Sequence, residues 1–123
     1  MEKLFIPYEL ALKLKELGFK FYPLGYYSLL EDNKIIQSKF YASDDFLEAP
    51  TWGQAFDWLL DKYKYWQFTF PNIHSKDWSY HIQYYDVNDG WGETFIKGGF
   101  KNQEQARLEC LKKLIEIVEK LIY

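Results

Sequence analysis

The sequence has very little cysteine and no long apolar run, and each absence excludes a class of protein. Its 123 residues contain one cysteine, Cys110, so an internal disulfide is impossible and an oxidising compartment is not indicated. No window approaches the roughly 18 consecutive apolar residues of a membrane span, and no N-terminal run suits a signal peptide. We therefore expect a cytoplasmic protein that does not insert into membranes.

A strong charge of either sign is also lacking, because 15 basic and 18 acidic side chains leave a net charge of −3. This balance argues against a strongly basic nucleic-acid-binding domain, and it is too mild for an acidic mimic of DNA. Aromatic residues are in excess instead, with 5 Trp, 11 Tyr and 10 Phe. A chain of this length buries roughly two-thirds of its unfolded surface, so some of these rings must remain at the surface.

Helical periodicity and strand alternation predict one α+β domain over residues 1–123. The order α-β-β-α-β-β-β-α predicts two layers, with the helices on one face of an antiparallel sheet. The predicted elements are a helix at Tyr8–Leu17, a hairpin of Tyr26–Leu30 and Ile35–Tyr41, a helix at Trp52–Lys62, strands at Lys64–Phe70, Trp78–Asp86 and Glu93–Ile96, and a last helix from about Asn102.

Local signals place the ends of these helices. Gly18 follows the first helix as a C-terminal cap residue. Thr51 and Gln54 form a capping box before the second helix, and Asn102 is a good N-cap for the last one. The last helix carries a wide apolar stripe, which we expect to pack across the sheet through Leu111, Ile115 and Val118.

Catalytic constellations are absent from the sequence. It has no phosphate-binding glycine loop, no nucleophile elbow, no paired zinc-binding histidines on a helix and no cysteine pair. Cys110 lies on the apolar stripe, where a buried structural role is expected. His74 and His81 are too few for an ordinary zinc site, and Asp57 and Asp61 are typical of a solvated helix face. We expect neither an enzyme nor a bound metal or cofactor.

An exposed sheet face is the remaining candidate for a function. In each strand the more polar alternating set is expected to point outward, so that Gln67 and Thr69, for example, would lie at the surface. Such a face could stack bases, bind a sugar or contact a protein, although tyrosine also simply suits exposed strands. The predicted partner-facing residues are Tyr41, Tyr65, Tyr85, Trp91, Lys39 and Lys64.

The order of motifs resembles a set of small phage and prophage proteins of Bacteroidetes bacteria. The resemblance rests on the Ala49-Pro50-Thr51 helix start, the aromatic strands that follow, and the closing helix around Gln103–Leu111. It implies a small protein that binds and disables a host defence component, such as an anti-CRISPR protein. The implied target is an RNA-guided, RNA-cleaving effector, with RNA contacted through that partner.

Two functions from different classes therefore remain open. One is an inhibitor that docks on a host protein or ribonucleoprotein, for which Lys39 and Lys64 could also reach phosphate groups. The other is a small-ligand or glycan-binding module that uses an exposed Tyr/Trp face. A concave pocket ringed by tyrosine and tryptophan would favour the ligand, whereas an open aromatic face would favour docking.

Overall fold

A computed structural model describes residues 5–19, 25–28, 35–36 and 46–122. The chain divides into two compact units, Met1–Ala55 and Phe56–Tyr123, and the division falls inside the second helix. The elements are α1 (Tyr8–Glu16), β1 (Gly25–Ser28), β2 (Ile35–Ile36), β3 (Phe46–Ala49), α2 (Trp52–Tyr63), β4 (Tyr65–Pro71), β5 (Trp78–Asp86), β6 (Gly90–Phe100) and α3 (Gln103–Ile122).

The α+β class and the antiparallel pairing are confirmed, while the arrangement of the strands differs from the prediction. The described strands form two three-stranded sheets, with orders β2-β1-β3 and β4-β5-β6, where the sequence predicted one sheet. The additional strand is β3, which pairs with β1 along its whole length. No described helix is both long enough and apolar enough to cross a bilayer.

Helix α1 of the first unit begins directly after Pro7, its N-cap residue, and ends in the glycine cap that the sequence predicts. Leu10 and Leu14 are buried on one side of it, as their spacing requires. Gly18 has φ of 94°, a backbone conformation that glycine adopts without steric cost. The amides of Gly18 and Phe19 donate to the carbonyls of Lys15 and Leu14, both at 3.0 Å. This pattern is a Schellman motif, which satisfies the last carbonyls of the helix.

The predicted hairpin is confirmed in the pairing of β1 with β2, where Tyr26 lies opposite Ile36 and Tyr27 opposite Ile35. The second predicted strand continued to Tyr41. Lys39 and Tyr41, both predicted to face a partner, lie outside the described residues.

The predicted capping box at the start of α2 is confirmed. The amide of Thr51 donates to Oε1 of Gln54 at 3.0 Å, and the amide of Gln54 donates to Oγ1 of Thr51 at 3.2 Å. Two backbone donors that the helix itself leaves unpaired are thereby satisfied.

In the second unit, α3 lies across the β4-β5-β6 sheet and packs mainly on β4 and β5. Its first turn is capped as predicted, because the amide of Gln105 donates to Oδ1 of Asn102 at 2.8 Å. The predicted stripe is buried, with Leu111, Ile115 and Val118 at most 1% exposed. Fully burying one such side chain contributes about 1.5–3 kcal/mol, so this stripe is a major source of the unit's stability.

Replacing Leu111 with alanine should therefore destabilise the protein. We expect Leu111→Ala to lower the free energy of unfolding by about 2–5 kcal/mol, because a cavity replaces a fully buried side chain. Urea unfolding followed by circular dichroism measures the change. Leu121→Ala, an exposed position near the end of the same helix, is the matched control and should have little effect. Equal losses for the two variants would contradict this packing.

Candidate binding face

The pairing of β4 with β5 determines which side chains reach the surface. The register is unbroken from Tyr65 opposite Tyr84 to Pro71 opposite Trp78. Odd-numbered residues of β4 therefore always lie opposite even-numbered residues of β5. Because residues directly opposite each other share a face of the sheet, the two sets point the same way.

The loop between these strands holds this register through a local hydrogen-bond network. The amide of Asn72 donates to the carbonyl of Asp77 at 2.8 Å, and the side-chain amide of Asn72 donates to the Asp77 carboxylate at 2.6 Å and to Oγ of Ser79 at 2.7 Å. The hydroxyl of Ser75 donates to the same carboxylate at 2.7 Å. Hydrogen bonds from Ser75 and Asn72 lower the pKa of Asp77, so the carboxylate stays ionised at neutral pH.

The sheet face against α3, here called the inner face, is set by β5. Tyr80 and Ile82 are buried there, as their alternation predicts. Since Thr69 lies opposite Tyr80 and Gln67 opposite Ile82, the register turns the more polar set of β4 inward as well. The prediction that Tyr65, Gln67 and Thr69 point outward is therefore wrong, and Tyr65 is only 5% exposed.

The inward polar side chains of β4 find partners on α3. Nε2 of Gln103 donates to Oγ1 of Thr69 at 3.4 Å, and Sγ of Cys110 donates to Oε1 of Gln67 at 3.9 Å. The phenol of Tyr65 has a raised pKa, mainly because burial disfavours its charged form and also because Glu93 lies nearby. These contacts reduce the cost of placing polar groups on the buried face.

The opposite face carries the apolar set of β4 at the surface. Trp66 is 50% exposed and Phe68 is 52% exposed. On β6 of the same sheet, Trp91 is 65% exposed and Ile96 is 62% exposed. Large apolar side chains at this exposure cost hydration free energy unless another surface covers them. We call this surface the outer aromatic face and define it by Trp66, Phe68, Phe70, His81, Tyr85, Trp91 and Ile96.

Several rings of the outer aromatic face contact one another, both across strands and along β4. Tyr85 and Trp91 have ring centroids 4.5 Å apart, and Phe68 lies 4.9 Å from His81 and 5.7 Å from Phe70. Aromatic pairs with these separations are stabilising by about 0.5–1.5 kcal/mol each. Nε2 of His81 is buried, and it has no hydrogen-bond partner among the described residues.

The predicted partner-facing residues are thus divided between different places. Tyr85 and Trp91 lie together on the outer aromatic face, whereas Tyr65 is buried on the inner face. Lys64 has φ of 65° at the junction of α2 and β4, and its ammonium donates to the carbonyl of Asp61 at 2.7 Å. The alternation in β4 predicts that Trp66 and Phe68 point inward, opposite to their exposed positions in the structure. The sequence signal for their exposure is the number of residues between β4 and β5, considered together with the alternation of apolar residues in each strand.

A groove of about 560 Å³ opens beside Lys64 in the second unit. Three tyrosines line it, together with side chains of both charges. Tyr65 and Tyr84 meet edge to face there, with ring centroids 5.3 Å apart. The lining residues are Lys62, Tyr63, Lys64, Tyr65, Tyr84, Asp86, Gly92, Glu93 and Leu121.

The structure describes the surroundings of Cys110 and the arrangement of the side chains that could bind a metal. Cys110 is fully buried, and desolvation raises the pKa of its thiol to about 12. The nucleophilic thiolate is therefore scarce at neutral pH. Within the described ranges, no group of three or more His, Cys, Asp or Glu side chains is arranged to hold a metal ion.

Comparison with known proteins gave no match to a protein-family model, to a curated protein or to a solved structure. A function must therefore be inferred from the geometry of the chain itself. The resemblance to phage proteins stays a prediction.

The two faces of β4 predict losses of stability of different size for substitutions at neighbouring positions. Tyr65→Ala should lower the free energy of unfolding by about 3–5 kcal/mol, as expected for a buried aromatic side chain. Trp66→Ala should lower it by less than about 1 kcal/mol, because that ring is half exposed. Thermal and urea unfolding of the two variants measure the difference. A greater loss for Trp66→Ala would show that the faces are reversed.

Burial of Cys110 predicts slow thiol labelling and a loss of stability at alkaline pH. The pKa of Cys110 is about 12 in the folded protein and 9.0 ordinarily. The contribution of this thiol to the free energy of unfolding is therefore fully present below pH 9.0 and is lost as the pH rises toward 12. Iodoacetamide at a pH of about 8 should label Cys110 only after unfolding in urea. Rapid labelling of protein that circular dichroism shows to be folded would contradict this burial.

Proposed function

We propose that this chain is a non-enzymatic binding protein whose outer aromatic face docks on a partner protein. The observation that carries the proposal is the exposure of Trp66, Phe68 and Trp91 on one face of a single sheet. Tryptophan and tyrosine dominate interface energetics because they contribute a large contact area and lose few rotamers on binding. Rings that already contact each other need less ordering when a partner arrives.

The partner class follows from the resemblance to phage proteins. We propose that the chain inhibits a bacterial defence component, and that an RNA-guided, RNA-cleaving CRISPR effector is the first target to test. The net charge of −3 supports docking on protein rather than direct binding to RNA. The groove beside Lys64 is not lined by Trp66, Phe68 or Trp91. This supports the interpretation of the outer aromatic face as an open docking surface.

The groove beside Lys64 favours a second candidate function. Its tyrosines and its two signs of charge suit a small polar ligand such as a sugar. Tyr84→Ala should then abolish ligand binding while leaving any protein partner bound. A titration with a panel of small glycans, monitored by NMR chemical shifts, tests this function. Shifts that occur in the parent protein and are lost in Tyr84→Ala would support it.

A substitution at the end of the outer aromatic face tests the docking function. Trp91→Ala should weaken partner binding by about 2 kcal/mol or more without altering the thermal midpoint, because the ring is exposed. The readout is inhibition of target-RNA cleavage by the purified effector, together with the Kd of the complex.

Ile73→Ala provides the matched control, because this residue is 86% exposed and lies in the loop between β4 and β5. It should bind like the parent protein. Docking through this face would be contradicted if Trp91→Ala and Trp66→Ala both bound the partner as tightly as the parent protein does. Full effector activity in excess parent protein would contradict the proposed target class and leave the face to be tested with another partner.

A further inference from the structure

The two edges of the β4-β5-β6 sheet are built differently. Strand β6 has two register shifts against β5. Gly99, at the shift opposite Trp78 and Tyr80, has φ of 88°. Such bulges and glycines interrupt an edge and prevent another strand from pairing with it. Strand β4 has no register shift over its seven residues, and its only proline, Pro71, is the last of them. Only one edge therefore carries these protective features.

Among the described strands, β4 is an edge strand of its sheet. Strand β5 is the one described strand that pairs with β4, and α3 packs on β4 and β5. No charged side chain occurs between Tyr65 and Pro71. A long, regular, uncharged edge strand is the kind that pairs with another strand.

The sequence of β4 is complementary to itself in the antiparallel direction. If two copies pair about Phe68, Trp66 of each copy lies opposite Phe70 of the other, and the two Phe68 residues lie opposite each other. These positions belong to the outer aromatic face, so each cross-strand pair is aromatic. Such pairs stabilise antiparallel strands, and no like charges oppose them.

We propose that two copies of this chain associate through antiparallel pairing of β4, with a two-fold axis at Phe68. The contact is isologous, as in most homodimers, because the same strand is used by both copies. It joins the two sheets into one and places Trp66, Phe68 and Phe70 of both copies side by side. Tyr85 and Trp91 lie on β5 and β6, outside this contact.

A charge at the two-fold axis tests this dimer. In Phe68→Lys two like charges face each other, whereas the half-exposed position spares the folded monomer. Sedimentation velocity over about 1–300 μM, a range that brackets a micromolar Kd, measures the masses. We expect the parent protein to reach the dimer mass and Phe68→Lys to dimerise at least about tenfold more weakly.

Ile96→Lys is the matched control, because it places the same charge on the outer aromatic face of β6. It should dimerise like the parent protein. A parent protein that stays monomeric over the whole range overturns the proposal and leaves this edge to a strand of another protein. Dimerisation of Phe68→Lys at the parent affinity, or its loss in Ile96→Lys alone, also overturns it.

Disulfide trapping tests the register itself and does not depend on the lysine variant folding. Residues directly opposite in antiparallel strands have Cα atoms about 4.5–5.5 Å apart, which suits a disulfide. Phe68→Cys should oxidise to a covalent dimer, while Ile96→Cys should not. The native Cys110 is buried and does not compete. Absence of the Phe68→Cys dimer under oxidation that links an exposed control cysteine pair contradicts the proposed register.

The dimer and the proposed function fail separately. Dimerisation is measured on the purified chain alone, whereas partner docking is measured through Trp91→Ala. A monomeric protein that still loses its partner in Trp91→Ala would remove the dimer and keep the docking face.

Discussion

The pairing of odd-numbered residues of β4 with even-numbered residues of β5 is the constraint on which the second unit depends. Both strands have one strongly apolar set, and this pairing prevents the two sets from sharing a face. Since Tyr80 and Ile82 lie under α3, Trp66 and Phe68 must lie on the other side. A surplus of surface rings is thus a geometric result of the register.

The hydrogen bonds around Asn72 and Asp77 make that result specific. A slip by one residue would turn Trp66 and Phe68 toward α3 and expose Tyr65. Hydrophobic burial alone would gain from such a slip on β4. The network from Asn72 to Asp77 and Ser79 opposes it by fixing the residues between the strands. Local polar contacts therefore favour the observed register, which leaves the apolar set of β4 at the surface.

Features encoded by neighbouring residues could be predicted from the sequence. The Thr51–Gln54 box, the Asn102 cap and the Gly18 terminus each depend on residues within one helical turn, and each is present. The face of β4 could not be read in this way, because it depends on a register set across the loop that follows. Strand β3 was missed because Phe46-Leu47-Glu48-Ala49 has no alternation or β-branched residue, and its strand conformation follows from pairing with β1.

The separation of the two faces also bears on how this protein can evolve. Side chains such as Ile82 and Leu111 are packed on all sides, so most replacements there would reduce the folded population. Positions such as Trp91 and Ile96 contribute little to the folded state and tolerate many side chains. Selection can therefore change the shape and chemistry of the outer aromatic face while the fold is retained. A lineage that follows a changing partner could substitute these positions without first acquiring compensating changes in the core.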